Sequence, residues 1–178
     1  MKKSIKLLNQ GKIIAYPTEA VYGLGCDPFN EEAVNKLKQL KDRKPSQGFI
    51  LIAASWSQVQ DLCEPIPDEK MKLVNETWPG PTTWIFPATK KAPQWVCSNK
   101  TIAIRITDHP LAKALCNEFG GPIVSTSANP ANKTPAKTAK EVKSYFKNTV
   151  DYILEGELGT LSNPTQIRDA LTGNIFRN

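Results

Sequence analysis

The segment 12–43, KIIAYPTEAVYGLGCDPFNEEAVNKLKQLKDR, constrains the fold more than any other part of the chain. It begins with a compact apolar run bounded by Gly11 and Pro17, which is typical of a strand that is buried on both faces. After a turn, Asn30 is a suitable N-cap, and apolar residues then recur at helical spacing as far as Leu40. The segment therefore predicts a buried strand followed by an amphipathic helix that ends in a cationic cluster.

The rest of the chain also alternates between short apolar runs and amphipathic segments, with turn-forming residues between them. The predicted strands are residues 12–16, 49–54, 82–86, 101–107, 122–127, 151–154 and 165–170, and the predicted helices are residues 30–43, 55–62, 68–78, 110–119 and 138–147. Several connections are too short to hold a helix, so we expect a mixed rather than a purely parallel sheet. The sequence predicts a single α/β domain over residues 1–178, built on a twisted sheet.

The formal net charge of +6 favours a polyanionic partner, either nucleic acid or a nucleotide with its phosphates. A basic, solvated surface without a specific partner explains the charge equally well.

The four cysteines are far apart in sequence, without the paired spacing of zinc or redox sites, which is typical of thiols in a reducing cytoplasm. Polar residues interrupt the N-terminal apolar residues, and no run approaches the roughly 20 apolar residues of a membrane helix. We therefore expect a soluble, cytoplasmic protein without membrane contact.

Several familiar catalytic motifs are missing from the sequence. It contains no GxxxxGKS/T phosphate loop, no GxGxxG after a strand and no GxSxG nucleophile elbow. The single histidine, His109, directly precedes a proline at a predicted helix start, where we expect a structural role. A histidine-based triad and a metal site built on imidazoles are therefore not expected.

Hydroxyls, amides and cations near the ends of predicted strands and helices remain as candidates for chemistry. These residues are Thr18, Lys41, Arg43, Arg105, Ser125, Thr126, Ser127 and Asn129. In open α/β sheets, ligands bind in a crevice outside the carboxyl ends of strands. A site rich in cations and donors but poor in bases suits phosphoryl or nucleotidyl transfer, in which catalysis is mostly positioning and neutralisation of charge.

One of these cations is constrained by its strand. Arg105 lies within an apolar run, on the same face as Thr101 and Ala103. Its guanidinium must reach an anion, an acidic side chain or the rim of the sheet, because an unpaired buried charge is costly.

The other features also have purely structural interpretations. The Ser/Thr-rich run 125–127 is also typical of an ordinary turn, and the cluster of Lys41, Arg43 and Lys44 is also typical of a solvated helix end. We interpret the four tryptophans as core and loop anchors rather than base-stacking platforms: Trp56, Trp78, Trp84 and Trp95.

Six motifs occur in the same order as in the YrdC/Sua5 family. They are YPTEAVYGLGCDP, LKDRKP, WPGPTT, IAIRITDHPL, STSAN and IRDALTGNIFR, and together they extend from about Gly11 to Arg177. The chain most resembles the short, single-domain bacterial form of the family. The resemblance implies a YrdC-like fold, in which helices flank a twisted, open, mixed β-sheet with a basic concave crevice.

The resemblance also implies an activity. Members of the family form L-threonylcarbamoyladenylate and pyrophosphate from L-threonine, bicarbonate or CO₂, and ATP, with Mg²⁺ accompanying the ATP. This nucleotidyl transfer is the first step of the t⁶A modification at position 37 of tRNAs, and the activated group then passes to a separate transferase complex. No tightly bound cofactor and no metal site of the protein's own are expected.

Site residues carry over from the family motifs. Lys41 and Arg43 match the Lys-x-Arg pair that holds the ATP phosphates, so both are the expected catalytic residues. The expected threonine-binding residues are Thr18, Arg105 and Ser125. The expected ATP-binding residues are Lys41, Arg43, Ser127, Asn129 and Arg168. The fork of Arg105 suits a carboxylate or a phosphate, so its ligand stays open between the two.

Two departures from the family pattern affect the nucleotide loops. Lys44 stands between the Lys-x-Arg pair and Pro45, where the family has proline directly after the pair. After STSAN, this chain continues with Pro130, Ala131 and Asn132 in place of the usual serine and glycine. We expect the first loop to close differently over ATP and the second to be stiffer.

A binding module is the competing interpretation. A basic concave surface also suits double-stranded RNA or tRNA without any catalysis. Such a module loses affinity gradually as any of several lysines is removed, whereas an enzyme loses activity steeply at Lys41, Arg43 or Ser127.

Overall fold

A computed structural model describes residues 1–161 and 165–177, and its centre is a nine-stranded mixed sheet. The strands are β1 (Ile14–Pro17), β2 (Tyr22–Gly25), β3 (Ile50–Ala53), β4 (Thr82–Pro87), β5 (Thr101–Ile106), β6 (Ile123–Ser127), β7 (Tyr152–Ile153), β8 (Gln166–Asp169) and β9 (Ile175–Arg177). Their order across the sheet is β7-β1-β2-β6-β3-β5-β4-β8-β9. The pairs β1–β7, β3–β5 and β4–β8 are parallel, and the other neighbouring strands are antiparallel. The predicted mixed sheet is confirmed.

Four of the five helices in the described part of the chain were predicted from the sequence, and local signals mark several of their ends. They are α1 (Lys2–Asn9), α2 (Glu31–Leu40), α3 (Asp68–Asn75), α4 (Pro110–Phe119) and α5 (Ala139–Phe146). The Asn30 side chain accepts a hydrogen bond from a backbone N–H in the first turn of α2, at 3.0 Å. In α4, Pro110 is the first residue, and Gly120 ends the helix in the left-handed region at φ 82°. Thr138 and Glu141 form a capping box at α5.

Two hydrophobic cores lie on opposite faces of the sheet, because side chains alternate along each strand. On one face, α1 and α4 pack against Ile14, Tyr16 and Ile52. On the other face, α2 and α5 belong to a larger core that includes Ala15 and Leu51. The central strands are therefore buried on both faces, as the apolar run of the segment 12–43 predicts.

The face beneath α1 and α4 is not covered along its whole length. Ile50 lies on this face, two residues from Ile52, and pairs with Ala103 of β5 and Ser125 of β6. These three residues and Ile85 of β4 line an open crevice. The sheet itself therefore forms the floor of the crevice.

All seven predicted strands are present, with ends shifted by up to two residues. The predicted helix 55–62 is wrong: the segment forms two 3₁₀ turns, because Val59 between them has a non-helical φ of −131°. The prediction missed α1, β2 and β9.

In β2 the sequence YGLG places two glycines in a strand, where glycine is normally rare. Gly25 is needed there because a Cβ would lie 2.2 Å from the Val124 carbonyl oxygen of β6.

No helix within residues 1–161 and 165–177 is both long and apolar enough to span a membrane.

Candidate functional site

A crevice of about 540 Å³ opens on the floor formed by β3, β4, β5 and β6. Seven of the candidate residues line it: Thr18, Lys41, Arg43, Arg105, Ser125, Thr126 and Ser127. Its cationic side chains are Lys41, Arg43, Arg105 and Arg177, and no carboxylate is among its lining residues in the part of the chain that the structure describes. The crevice is therefore basic and concave, as the sequence predicts.

Lys41, Ser127 and Asn129 form one polar group at the end of β6. Lys41 is the C-cap of α2, and its Nζ donates hydrogen bonds to the Ser127 carbonyl oxygen at 2.7 Å and to both the carbonyl oxygen and Oδ1 of Asn129. The Ser127 hydroxyl donates to the same Oδ1 at 2.6 Å. The structure thus brings the Lys-x-Arg pair and the STSAN motif into direct contact.

The Lys41 ammonium lies in a partly dehydrated position. Burial, followed by the nearby Arg43 guanidinium, lowers the pKa of Lys41 to about 8. The ammonium is therefore partly dehydrated and gains more than an exposed lysine would from an anion placed beside it.

Arg43 lies against the crevice wall. Its guanidinium carbon is 4.7 Å from the centre of the Phe49 ring, and burial lowers the pKa of Arg43. The side chain forms no hydrogen bond or ion pair with the residues that the structure describes. Its N–H donors are therefore available to a phosphate.

The loop that follows Arg43 is fixed by a residue that sequence reasoning missed. Lys38 is a charged residue of the amphipathic helix α2, yet only 5% of it is exposed. Its Nζ donates to the Pro45 carbonyl oxygen at 2.6 Å. The extra residue Lys44 is exposed within the turn, and Arg43 still lines the crevice.

A second polar group surrounds Arg105, which is 5% exposed. Its Nη2 lies 3.2 Å from Oε2 of Glu19, and its Nη1 donates to the Thr165 hydroxyl at 2.8 Å. Of the three destinations predicted for this guanidinium, an acidic side chain is the one found. Glu19 itself follows Thr18 in the YPTEAVYGLGCDP motif, but nothing in the sequence assigned it a role.

Thr18 and Ser125 lie close to each other across β2. The Thr18 hydroxyl donates to the Val21 carbonyl oxygen at 2.7 Å, which closes the β1–β2 turn. A Cβ on Gly23 would lie 3.3 Å from Thr18 Cγ2 and 3.5 Å from Ser125 Oγ. Gly23 therefore leaves open space between two residues that are predicted to bind the amino-acid substrate.

A protein-family model for Sua5, YciO and YrdC, which bears the description Telomere recombination, matches residues 6–178. The chain belongs to this Sua5/YciO/YrdC family. A relative in Coxiella burnetii (strain RSA 493 / Nine Mile phase I), named threonylcarbamoyl-AMP synthase, is 54% identical over 175 residues, which are 98% of this chain and 94% of the relative. A protein of the same name in Pseudomonas aeruginosa (strain UCBPP-PA14) is 46% identical over 97% of this chain and 93% of the relative.

Solved structures of the Sua5/YciO/YrdC family have the same fold. P. abyssi Sua5 complexed with L-threonine matches with a TM-score of 0.88 and 30% identity, over 94% of this chain. This chain spans 50% of the length of that Sua5 chain. E. coli YciO matches with a TM-score of 0.88 and 26% identity, over 99% of this chain and 87% of the YciO chain. The predicted YrdC-like fold is confirmed.

In this member of the Sua5/YciO/YrdC family, Arg168 lies away from the crevice. Along β8, Ile167 lines the crevice, and Arg168 is the next residue, on the opposite face of the sheet. The guanidinium carbon of Arg168 is 5.7 Å from the centre of the Trp84 ring, and Trp84 is part of the larger core. The geometry does not bring Arg168 together with the other predicted ATP-binding residues, so its role stays a prediction.

Arg177 is a crevice residue that the sequence analysis missed. Its Nε and Nη2 donate to the Thr165 carbonyl oxygen at 3.0 and 2.7 Å. Burial and, secondly, the charge of Arg105 lower the pKa of Arg177. Arg177 is the last residue of the motif IRDALTGNIFR, so the family motif includes this residue, whereas none of the predicted strands did.

His109 has the predicted structural role at the start of α4. Its Nδ1 accepts a hydrogen bond from the Ala112 N–H at 3.3 Å, so the proton lies on Nε2, which is 3.0 Å from the Glu157 carbonyl oxygen. Trp84 is also buried as predicted, and its indole N–H donates to Thr77.

Proposed function

We propose that the protein is a threonylcarbamoyl-AMP synthase, which forms L-threonylcarbamoyladenylate and pyrophosphate from L-threonine, bicarbonate or CO₂, and ATP. One observation carries the proposal: a single crevice holds two separate cationic groups. In the sheet, Arg105 of β5 pairs with Ile52 of β3, and Ile52 pairs on its other side with Ile123 of β6. Ile123 is four residues from Ser127 along β6. Four residues of strand span about 13 Å, so the backbone positions of Ser127 and Arg105 are separated along the strands by roughly the length of an aminoacyl adenylate. The names of the relatives and the L-threonine bound to P. abyssi Sua5 support the assignment.

The proposed chemistry needs positioning more than a protein nucleophile. The threonine amine adds to CO₂ and loses a proton to give a carbamate. A carbamate oxygen then attacks the α-phosphorus of ATP, and the bond from that phosphorus to the bridging oxygen breaks to release pyrophosphate. Lys41 and Arg43 neutralise the phosphate charge, while Arg105, Thr18 and Ser125 hold the threonine.

Mg²⁺ enters this proposal as the partner of the ATP phosphates. The lining residues in the described part of the chain offer cations, hydroxyls and backbone groups but no carboxylate. Among residues 1–161 and 165–177, no three His, Cys, Asp or Glu side chains are grouped as metal ligands. These residues therefore suit a magnesium ion that arrives with its nucleotide.

The test is mass spectrometry of a reaction that contains the pure protein, ATP, Mg²⁺, L-threonine and bicarbonate, with each component omitted in turn. We expect threonylcarbamoyl-AMP and pyrophosphate only in the complete mixture. Arg43→Ala should abolish most of the product, because its free donors face the crevice, while the exposed Lys140→Ala should leave it unchanged. ATP binding without any adenylate in the complete mixture would refute the proposal.

Contact with tRNA is a second function that one observation favours. The segment 133–147 carries five exposed lysines before, on and directly after α5: Lys133, Lys137, Lys140, Lys143 and Lys147. Such a cationic surface suits the phosphates of double-stranded RNA or tRNA. Transfer of the product to a t⁶A transferase complex in the cytoplasm belongs to the same proposal. Filter binding of tRNA at several salt concentrations tests it, since the salt slope should fall when two of these lysines are replaced.

A further inference from the structure

A buried carboxylate supports Arg105 from behind the crevice wall. Glu19 lies in the β1–β2 turn with 7% of its surface exposed, and it is not one of the lining residues. Its Oε1 accepts a hydrogen bond from the Thr107 hydroxyl at 2.6 Å, and its Oε2 is 3.2 Å from Arg105 Nη2. Glu19 therefore influences the crevice through Arg105 rather than by contact with a ligand.

Thr107 fixes the orientation of this carboxylate. Its hydroxyl has one proton, which it donates to Glu19, and it accepts a hydrogen bond from the His109 N–H at 3.2 Å. Its backbone N–H donates to the Ala53 carbonyl oxygen at 3.0 Å, which ties it to the sheet. The carboxylate and the Arg105 guanidinium are consequently held from the ends of β3 and β5.

The charges at this end of the crevice sum to a single positive charge. Arg105 and Arg177 both reach Thr165, at its hydroxyl (2.8 Å) and its carbonyl oxygen (2.7 Å), so the two guanidinium groups share one neighbour. Glu19 is the acidic side chain paired with Arg105 among the described residues. Arg105 Nε is buried and has no hydrogen-bond partner in the described part of the chain. A ligand with one negative charge and an acceptor oxygen therefore fits this position.

We propose that Glu19 is a positioning residue that matches the Arg105 end of the crevice to a singly charged carboxylate and against a phosphate. This inference rests on the proposed function, in which threonine and ATP must occupy different ends of one basic crevice. Without Glu19, Arg105 and Arg177 would present two positive charges, which suit a doubly charged phosphate. With Glu19 in place, the phosphates are directed to Lys41 and Arg43.

The test is calorimetric binding of L-threonine without ATP, in the presence and absence of inorganic phosphate. For the wild-type protein we expect threonine to bind and phosphate not to displace it. In Glu19→Gln, which keeps the shape but loses the charge, the affinity for phosphate relative to threonine should rise by about tenfold or more. In Thr107→Val, which keeps the charge but frees the carboxylate, threonine affinity should fall by about tenfold without any gain for phosphate. The exposed Glu118→Gln on α4 controls for net charge and should match the wild type.

The outcomes separate this inference from the proposed function. Displacement of threonine by phosphate from the wild-type protein, or an unchanged ratio of affinities in folded Glu19→Gln, overturns the inference. If Glu19→Gln does not fold, Thr107→Val decides, and unchanged threonine affinity there overturns the inference. Product formation by the wild-type protein tests the proposed function separately, because it does not depend on the ratio of the two affinities in the variants.

Discussion

The Lys41 ammonium lies 2.7 Å from the Ser127 carbonyl oxygen, a contact between residues that are 86 positions apart in the sequence. It joins the C-terminal end of α2 to the end of β6, at the edge of the crevice. The same ammonium is the predicted phosphate ligand, so it must exchange a carbonyl partner for a phosphate when ATP binds. Lys41 therefore has a structural role besides the ligand-binding role that we propose for it, whereas the Arg43 side chain contacts Phe49 and forms no hydrogen bond with the described residues.

The first prediction separates these two roles. Lys41→Met should lower kcat/KM for ATP by about 100-fold or more and the free energy of unfolding by about 1–2 kcal/mol, because several charge-assisted hydrogen bonds are lost. Arg43→Ala should lower kcat/KM to a similar extent with a smaller loss of stability. Steady-state kinetics and urea denaturation measure both quantities. Equal losses of stability in the two variants would contradict the assignment.

The second prediction concerns pH. Burial and Arg43 lower the pKa of Lys41 to about 8, so its charge is lost as the pH rises through about 8, and the affinity for ATP should fall there. Between about pH 8 and 10.5 the unfolded chain holds this proton and the folded chain does not, so Lys41 alone makes stability rise with pH. Calorimetric titration of ATP without threonine measures the affinity. Lys41→Arg keeps its charge and should give a flat profile, so an equally steep profile in that variant would argue against Lys41 as the titrating group.

The third prediction compares two arginines of the C-terminal hairpin. Arg177→Ala should weaken L-threonine binding by about tenfold, because Arg177 lies in the crevice beside Arg105. Arg168→Ala should change threonine and ATP binding by less than about twofold, because its guanidinium stacks over Trp84 on the other face. Calorimetric titration with each ligand checks both variants. A large loss of ATP affinity in Arg168→Ala would instead support the role implied by the family resemblance.

The fourth prediction concerns the close approach of β2 and β6. Gly25→Ala should lower the free energy of unfolding by about 3 kcal/mol or more, because its Cβ would meet the Val124 carbonyl oxygen at 2.2 Å and the strands must separate. Gly121→Ala is the matched control, since nothing lies within 4 Å of its Cβ. Urea denaturation measures both. A mild effect of Gly25→Ala would mean that the strands adjust at little cost.

The sequence predicts secondary structure well where the signal is local. The buried strands and the caps at Asn30 and Thr138 follow from periodicity and from side chains that bond to nearby backbone. It fails where a distant contact overrides local preference. The glycines of β2 look like a turn until β6 lies against them, and Lys38 looks like a solvated lysine until the loop at Pro45 returns to cover it.

The residues of the candidate site also fall into two groups, those that local sequence predicts and those that depend on distant contacts. Thr18, Lys41 and Ser127 could be proposed from motifs because they follow strands or a helix in a recognisable pattern. Glu19 and Arg177 also lie in the family motifs, but no role could be assigned to them there, because their importance comes from what lies beside them in space. An acidic partner for Arg105 was among the predicted alternatives, but the sequence did not show that this partner is Glu19. The β1–β2 turn and β5 are more than 80 residues apart, as the 88 positions between Glu19 and Thr107 show.

The crevice takes its residues from both ends of the chain, with Thr18 after the first strand and Thr165 and Arg177 around the last two. Protein synthesis supplies these groups in sequence order. A nascent chain that has emerged only as far as α5 already carries the Lys-x-Arg pair, but β4 still has an open edge where β8 will add. Such an edge can pair with other chains, so ribosomal stalling at this point exposes the cell to an aggregation-prone intermediate. The lining of the crevice is complete only when the final hairpin has left the ribosome.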